Sequence, residues 1–188
     1  MTNLPQRDSA VLGGIASPAT QGGPDFSAIR LTRHVTRIYD RLMSVQMYLV
    51  EGEDRALRVD TGFGVGELRS FVSALTDQPL SVFVTHGHLG HAFGVGWFDD
   101  VYMSHADLGT LSQQTTLLQQ VHDEALNEGR ILGPPIHSAE MKDIVPGQIF
   151  QLGCLTVRAV PFPATARACM HFFSKRNAHS SQGMRQIN

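Results

Sequence analysis

Three histidines fall within six residues in the run Thr85-His86-Gly87-His88-Leu89-Gly90-His91, and their spacing suits a metal ion. Hydrolysis at a metal needs neutral imidazoles converging on one ion, with at least one position left for water. His86 and His88 are two apart, so in extended chain both project from the same face. His91 comes round three residues later as the chain turns. Gly87, Gly90 and Gly94 let the backbone bend tightly between and after the ligands. A single histidine at a strand end is more often structural or solvated. Three at this spacing, directly after an apolar run, favour a metal site.

Other chemistry-bearing residues carry less. His105 and Asp107 stand at an expected helix start, where capping accounts for Asp107. His122, in a Gln-rich helix, reads as a solvated residue. His137 follows Pro134-Pro135 in a loop, and His171 and His179 lie near the carboxy-terminal end. Gly64-Val65-Gly66 is too short for a phosphate loop. Cys154 and Cys169 are too few for a disulfide framework, and Cys154 reads as packing.

The elements that must position the histidines follow from periodicity. Val35 to Asp40, Met47 to Glu51 and Arg55 to Asp60 read as strands, and Leu68, Phe71, Val72 and Leu75 recur at helical spacing before Pro79. Leu80 to Thr85 is a short apolar, β-branched run fit for a buried strand, and it leads straight into the histidines. Val101 to Ser104 reads as another strand. One helix is expected from Ser104, as its cap, to about Glu128, and Gly129 ends it. Gln148 to Leu152 and Leu155 to Val160 read as a hairpin around Gly153. A run of strands followed by strands alternating with helices gives an α/β (α+β) layered sheet with helices outside.

The chain has 188 residues, enough for one domain with a real core, and a formal net charge of -2. That charge gives no electrostatic reason to expect nucleic acid or an anionic membrane. No apolar run is long enough to span a bilayer, and the amino terminus lacks a secretory pattern, so a reducing cytoplasm is the expected location. Residues 1–28 are rich in Gly, Pro, Ser, Thr and Gln and read as a disordered arm, with order expected from about Ile29. Residues 29–163 make the domain. From Ala164 to Asn188 the periodicity fades, and this tail reads as aberrant.

The run Thr85-His86-X-His88-X-X-His91, with Gly94 three places on, resembles the Thr-His-X-His-X-Asp-His motif of the metallo-β-lactamase superfamily. Asp60-Thr61-Gly62, after the strand Arg55 to Val59, resembles the same family's Asp-Thr-Gly. The resemblance covers about residues 29–163. It implies an αββα sandwich, here its first half and the beginning of the second. It also implies a zinc hydrolase with one or two ions that acts on a small molecule through a metal-activated water. His86, His88 and His91 would be metal ligands, and Asp60 would steady them from behind.

The chain departs from the family pattern in two places. Gly90 stands where the family has an aspartate that serves the second metal, which puts the second-metal site in doubt. Val160-Pro161-Phe162-Pro163 is followed by Ala164-Thr165-Ala166-Arg167-Ala168-Cys169 rather than the family's histidine-bearing segment. Frameshifts, real or introduced in sequencing, would explain this second departure. Pro163 to Cys169 can be encoded as CCG GCC ACA GCG CGG GCG TGC, and one added and one removed G convert it to Pro-Gly-His-Ser-Ala-Gly-Cys. Ala178 to Gln186, encoded suitably and read in another frame, gives Thr-Phe-Phe-Ser-Gly-Asp-Ala-Ser. Two functional readings follow: a zinc hydrolase, or an inactive truncated remnant that binds metal weakly or serves only as a binding module. A missing second half would also leave an apolar face and strand edges open to self-association.

Overall fold

Alternating burial in the first strands builds one face of a large sheet. The structure, a computed structural model, describes residues 20–137, 140–161 and 170–176. Strands β1 (Thr20–Gly22), β2 (Phe26–Arg30), β3 (Val35–Asp40), β4 (Gln46–Glu51) and β5 (Ala56–Val59) form an antiparallel meander. In β3 every second residue is buried, which fits a strand with one face on a core. The sheet then continues in parallel through β6 (Leu80–Phe83), β7 (Val101–Met103) and β8 (Lys142–Asp143). A second sheet holds β9 (Ile149–Gln151), β10 (Leu155–Pro161) and β11 (Met170–Arg176) in the order β11-β10-β9, all antiparallel. Gly153, at φ +86°, turns the β9–β10 hairpin.

Two cores separate the layers. The helices α1 (Leu68–Ser73), α2 (Leu108–Gln113) and α3 (Thr115–Asn127) lie outside the large sheet. Leu68, Val72 and Leu111 pack there with Ile38, Met47, Leu49, Val82, Val84 and Met103. On the sheet's other face, Val50, Leu57, Val59 and Phe83 meet Phe150, Leu152, Val157 and Ala159 of the small sheet. All four residues of β5 are buried because the strand sits between both cores. Helix, sheet and sheet are thus stacked, as expected for the first half of an αββα sandwich and the start of the second. Among the described residues no helix is long and apolar enough to cross a membrane.

The structure corrects three sequence readings. Order does not wait for Ile29: β1 lies within residues 1–28 and β2 begins there, and Phe26 and Ala28 are buried in the first core. The apolar alternation there is only Phe26-Ser27-Ala28-Ile29, too short to stand out against the polar residues before it. Residues 1–19 of the expected arm lie outside the described residues. The single helix expected from Ser104 to Glu128 is broken: a short 3-10 turn (His105–Asp107), α2 and α3 follow one another, and Gln114 interrupts the helical run with φ -101° and ψ 6°. Ser104 makes no side-chain capping bond. Within the tail expected to be irregular, Met170–Arg176 is a strand paired along its full length with β10. The remainder, including Cys169 and His179, lies outside the described residues.

Candidate metal centre

Parallel pairing brings the carboxyl ends of β5, β6 and β7 to one rim of the large sheet. Val59 is level with Phe83, and Phe83 with Tyr102. The next residues therefore gather there: Asp60 after β5, Thr85 and His86 after β6, and Ser104 to Asp107 after β7. Such a rim is where sheets of this kind place their ligands.

Asp60 is the hub. It is buried, at 6% exposure, and holds a φ of +61°. Its Oδ1 accepts the Thr85 N–H at 2.8 Å, and both carboxylate oxygens accept the Thr85 hydroxyl at 2.9 Å. Its Oδ2 lies 2.8 Å from His91 Nδ1, and the Thr85 Oγ1 lies 2.9 Å from His86 Nδ1. Donor logic then fixes both rings. A carboxylate can only accept, so His91 carries its proton on Nδ1. The Thr85 hydroxyl spends its proton on Asp60, so it accepts from His86 Nδ1. Each ring therefore engages this network through Nδ1 and leaves Nε2 as the nitrogen a metal would take.

The rings themselves converge. His86 and His91 lie 4.0 Å apart between ring centroids, and His86 and His88 4.9 Å apart, edge to face. Burial, seconded by the neighbouring His91, pushes His86 down to about 4, with Asp60 pulling the other way. His86 is therefore neutral at pH 7, as a ligand must be. Two residues before Asp60, within β5, stands Arg58, wholly buried. Burial pushes its guanidinium down to about 9 while Asp60 pulls it up, so it remains a cation behind the aspartate. One of its nitrogens, Nη2, approaches Met47 Sδ at 2.8 Å, and Nε and Nη1 have no hydrogen-bond partner.

Neighbouring segments hold the histidine loop in place. The Thr61 N–H and hydroxyl both donate to the His91 carbonyl, at 2.7 and 2.9 Å. On the other side, Asp107 is fully buried and its Oδ2 accepts the Gly87 N–H, while its Oδ1 takes the Thr110 hydroxyl at 2.7 Å. Asp107 therefore caps no helix by its side chain, contrary to the sequence reading; its carboxylate reaches across to the loop. Gln114 Oε1 accepts the Leu89 N–H at 2.8 Å, and its Nε2 donates to the Gly87 carbonyl at 3.0 Å. Sequence reasoning missed Gln114, because its partners are backbone groups that leave no trace in residue spacing.

His105, His122 and His137 lie elsewhere. His105 Nε2 lies 2.9 Å from the Met141 carbonyl, which ties the 3-10 turn to the segment before β8. His122, expected in solvent, is half-buried, with Nε2 3.0 Å from the Phe63 carbonyl. His137 lines a small cavity of about 220 Å³ with Glu140 and Met141.

The donor chemistry fits a divalent ion of zinc type: neutral imidazoles, two of them with Nε2 exposed by the Asp60 network. The arrangement is not yet closed around one, since among the described residues no group of three or more His, Cys, Asp or Glu is spaced as a metal site. Position 90 adds nothing. Gly90 has a φ of +89°, and the space its side chain would enter is walled by Phe63 and Val45.

Known proteins match this fold. The profile of the metallo-beta-lactamase superfamily matches residues 40–172. Among solved structures, a metallo-β-lactamase from Erythrobacter litoralis, with beta mercaptoethanol in its active site, is similar with a TM-score of 0.54 and 14% identity, over 82% of this chain and 68% of its own. A HARLDQ-motif mutant of a Cronobacter sakazakii metallo-β-lactamase has a TM-score of 0.54 and 15% identity, over 78% of this chain and 58% of its own. A subclass B3 metallo-β-lactamase from a soil metagenome library has a TM-score of 0.53 and 12% identity, over 81% and 58%. The chain thus spans 58 to 68% of the length of these structures. No curated protein sequence matches it. The matched span contains Asp60, all three clustered histidines and the second core, and by that match the chain belongs to the metallo-β-lactamase superfamily.

Proposed function

We propose that this chain binds one zinc ion through His86, His88 and His91 and hydrolyses a small-molecule substrate with a metal-activated water. The observation that carries the reading is the hydrogen-bond relay from Asp60 through Thr85 to His86 and directly to His91. That relay orients two imidazoles, each through its Nδ1, before any ion arrives. When bound, zinc supplies Lewis acidity and makes water nucleophilic near neutral pH. The chain's own contribution is to orient the rings and to hold protons on their Nδ1 atoms.

The test uses the whole chain purified without chelator. Metal content by mass spectrometry should give about one zinc per chain. Chromogenic ester, phosphodiester and β-lactam probes should be turned over by at least one route. His86→Ala should abolish both zinc retention and turnover. A chain with no zinc after incubation with excess ion, and no turnover, sinks the reading.

A second reading is favoured by the surroundings of Gly90. Phe63 and Val45 fill the space in which a second acid would stand, so the chain is a remnant that holds metal weakly without turning over substrate. Zinc bound without turnover of any probe supports this reading against the first.

A further inference from the structure

His88 differs from its two neighbours in how it is held. His86 and His91 are fixed through their rings by Thr85 and Asp60, whereas His88 is fixed through its backbone. The peptide groups on either side of it are taken by side chains at the two ends of α2. The Gly87 N–H goes to Asp107, the Gly87 carbonyl to Gln114 Nε2 at 3.0 Å, and the Leu89 N–H to Gln114 Oε1 at 2.8 Å. The His88 carbonyl itself accepts the His91 N–H at 3.1 Å. Four backbone groups around one histidine are thereby satisfied, which fixes the path of the loop and the point from which the His88 ring projects.

The packing is as specific as the bonding. A Cβ on Gly87 would lie 2.8 Å from the Asp107 carbonyl oxygen and 2.9 Å from the Leu111 nitrogen, so only glycine lets the loop lie this close to α2. The interruption between α2 and α3 falls at Gln114, the residue whose amide spans both sides of His88. Its Nε2 also donates to the Thr110 carbonyl at 3.2 Å, which anchors the amide to α2. Asp107 is steadied in turn by the Thr110 hydroxyl.

We infer that Asp107 and Gln114 are positioning residues, a clamp from α2 that aims the His88 imidazole at the ion shared with His86 and His91. The inference rests on the zinc reading proposed above. It assigns His88 a support built from backbone contacts, in place of the ring contact that serves the other two ligands. Partners of this kind, one step removed from the metal, set its affinity and geometry.

Gln114→Met tests the clamp, because it keeps length and packing and removes the hydrogen bonds at a side chain that is only half-buried. Asp107→Asn is the second variant. Three measurements are made on the full chain. Zinc affinity by competition with a chromophoric chelator should fall ~10–100-fold. The visible spectrum of the cobalt(II)-loaded chain should change in band position or intensity. Hydrogen exchange in the metal-free chain should lose protection at the Leu89 amide in Gln114→Met. Unchanged affinity and cobalt spectrum in both variants overturn the inference, even if melting temperature falls, since that pattern marks a support of the fold alone. Retained protection of the Leu89 amide in Gln114→Met overturns it as well. A wild-type chain that takes up no zinc overturns the zinc reading and the clamp together, whereas wild-type uptake with indifferent variants overturns only the clamp.

Discussion

Gly90 shapes the site as much by its backbone as by the carboxylate it lacks. At φ +89° a residue with a side chain is strained by ~1–2 kcal/mol. A Cβ there would stand 3.1 Å from Phe63 Cε2 and 3.3 Å from Val45 Cγ1, so both apolar side chains would have to yield. An aspartate placed at this position would direct its charge at them. We therefore expect Gly90→Asp to lower stability in urea denaturation by about 1–2 kcal/mol, without raising zinc content above that of the wild type. Adding Val45→Ala to Gly90→Asp should recover part of the loss by opening the wall. A Gly90→Asp chain as stable as the wild type and carrying an extra zinc would refute this account. The same scale shows what residue spacing can reveal. The histidine run was legible because three histidines recur at short fixed separations, and Asp60 because Asp60-Thr61-Gly62 resembles a family motif. Asp107 and Gln114 were not, because they act on peptide groups, and any sequence supplies those.

Between elements, the two sheets are joined by one aromatic knot. Phe150 of β9 meets Phe83 of β6 and Tyr102 of β7, both edge to face, at ring-centroid distances of 6.0 and 5.1 Å. β9 has only three residues, so this side chain carries much of its attachment to the large sheet. Phe150→Ala should cost about 3–5 kcal/mol in denaturant unfolding, from lost transfer energy and the cavity left behind. Phe150→Leu should cost distinctly less. A loss below ~1 kcal/mol for the alanine variant would show that the sheets are held elsewhere. Periodicity read β3, β4, β6 and the β9–β10 hairpin from the sequence because each presents a regular apolar face. It did not foresee the break at Gln114, since nothing in the helical pattern of residues 104–128 marks where a side chain will leave to bind a loop. Nor does pattern explain Arg58, a wholly buried charge in the middle of β5. Its place becomes intelligible only when Asp60, two residues on, is seen to supply a nearby negative charge.

Across the whole molecule, the two sheets end very differently. The large sheet stops at β8, whose two residues Lys142 and Asp143 are charged and exposed, a composition that discourages further pairing. The small sheet stops at β9, where the outward-facing Ile149 is 43% exposed, and Val145 just before it is 54% exposed. Val160, outward on β10, is 40% exposed. Among the described residues the helices' buried side chains all belong to the large sheet's outer core or lie apart from the small sheet. The small sheet therefore offers a backbone edge beside apolar side chains, a combination that invites strand addition from a second copy. We expect the mass measured by sedimentation equilibrium to rise with protein concentration. Ile149→Lys places a charge on that edge and should shift the chain toward monomer, while Leu126→Lys, which alters an exposed leucine on α3 remote from the edge, should not. Mass equal to one chain at every concentration would show that the edge is protected. Equal shifts in the two variants would place the contact on general surface hydrophobicity rather than on β9.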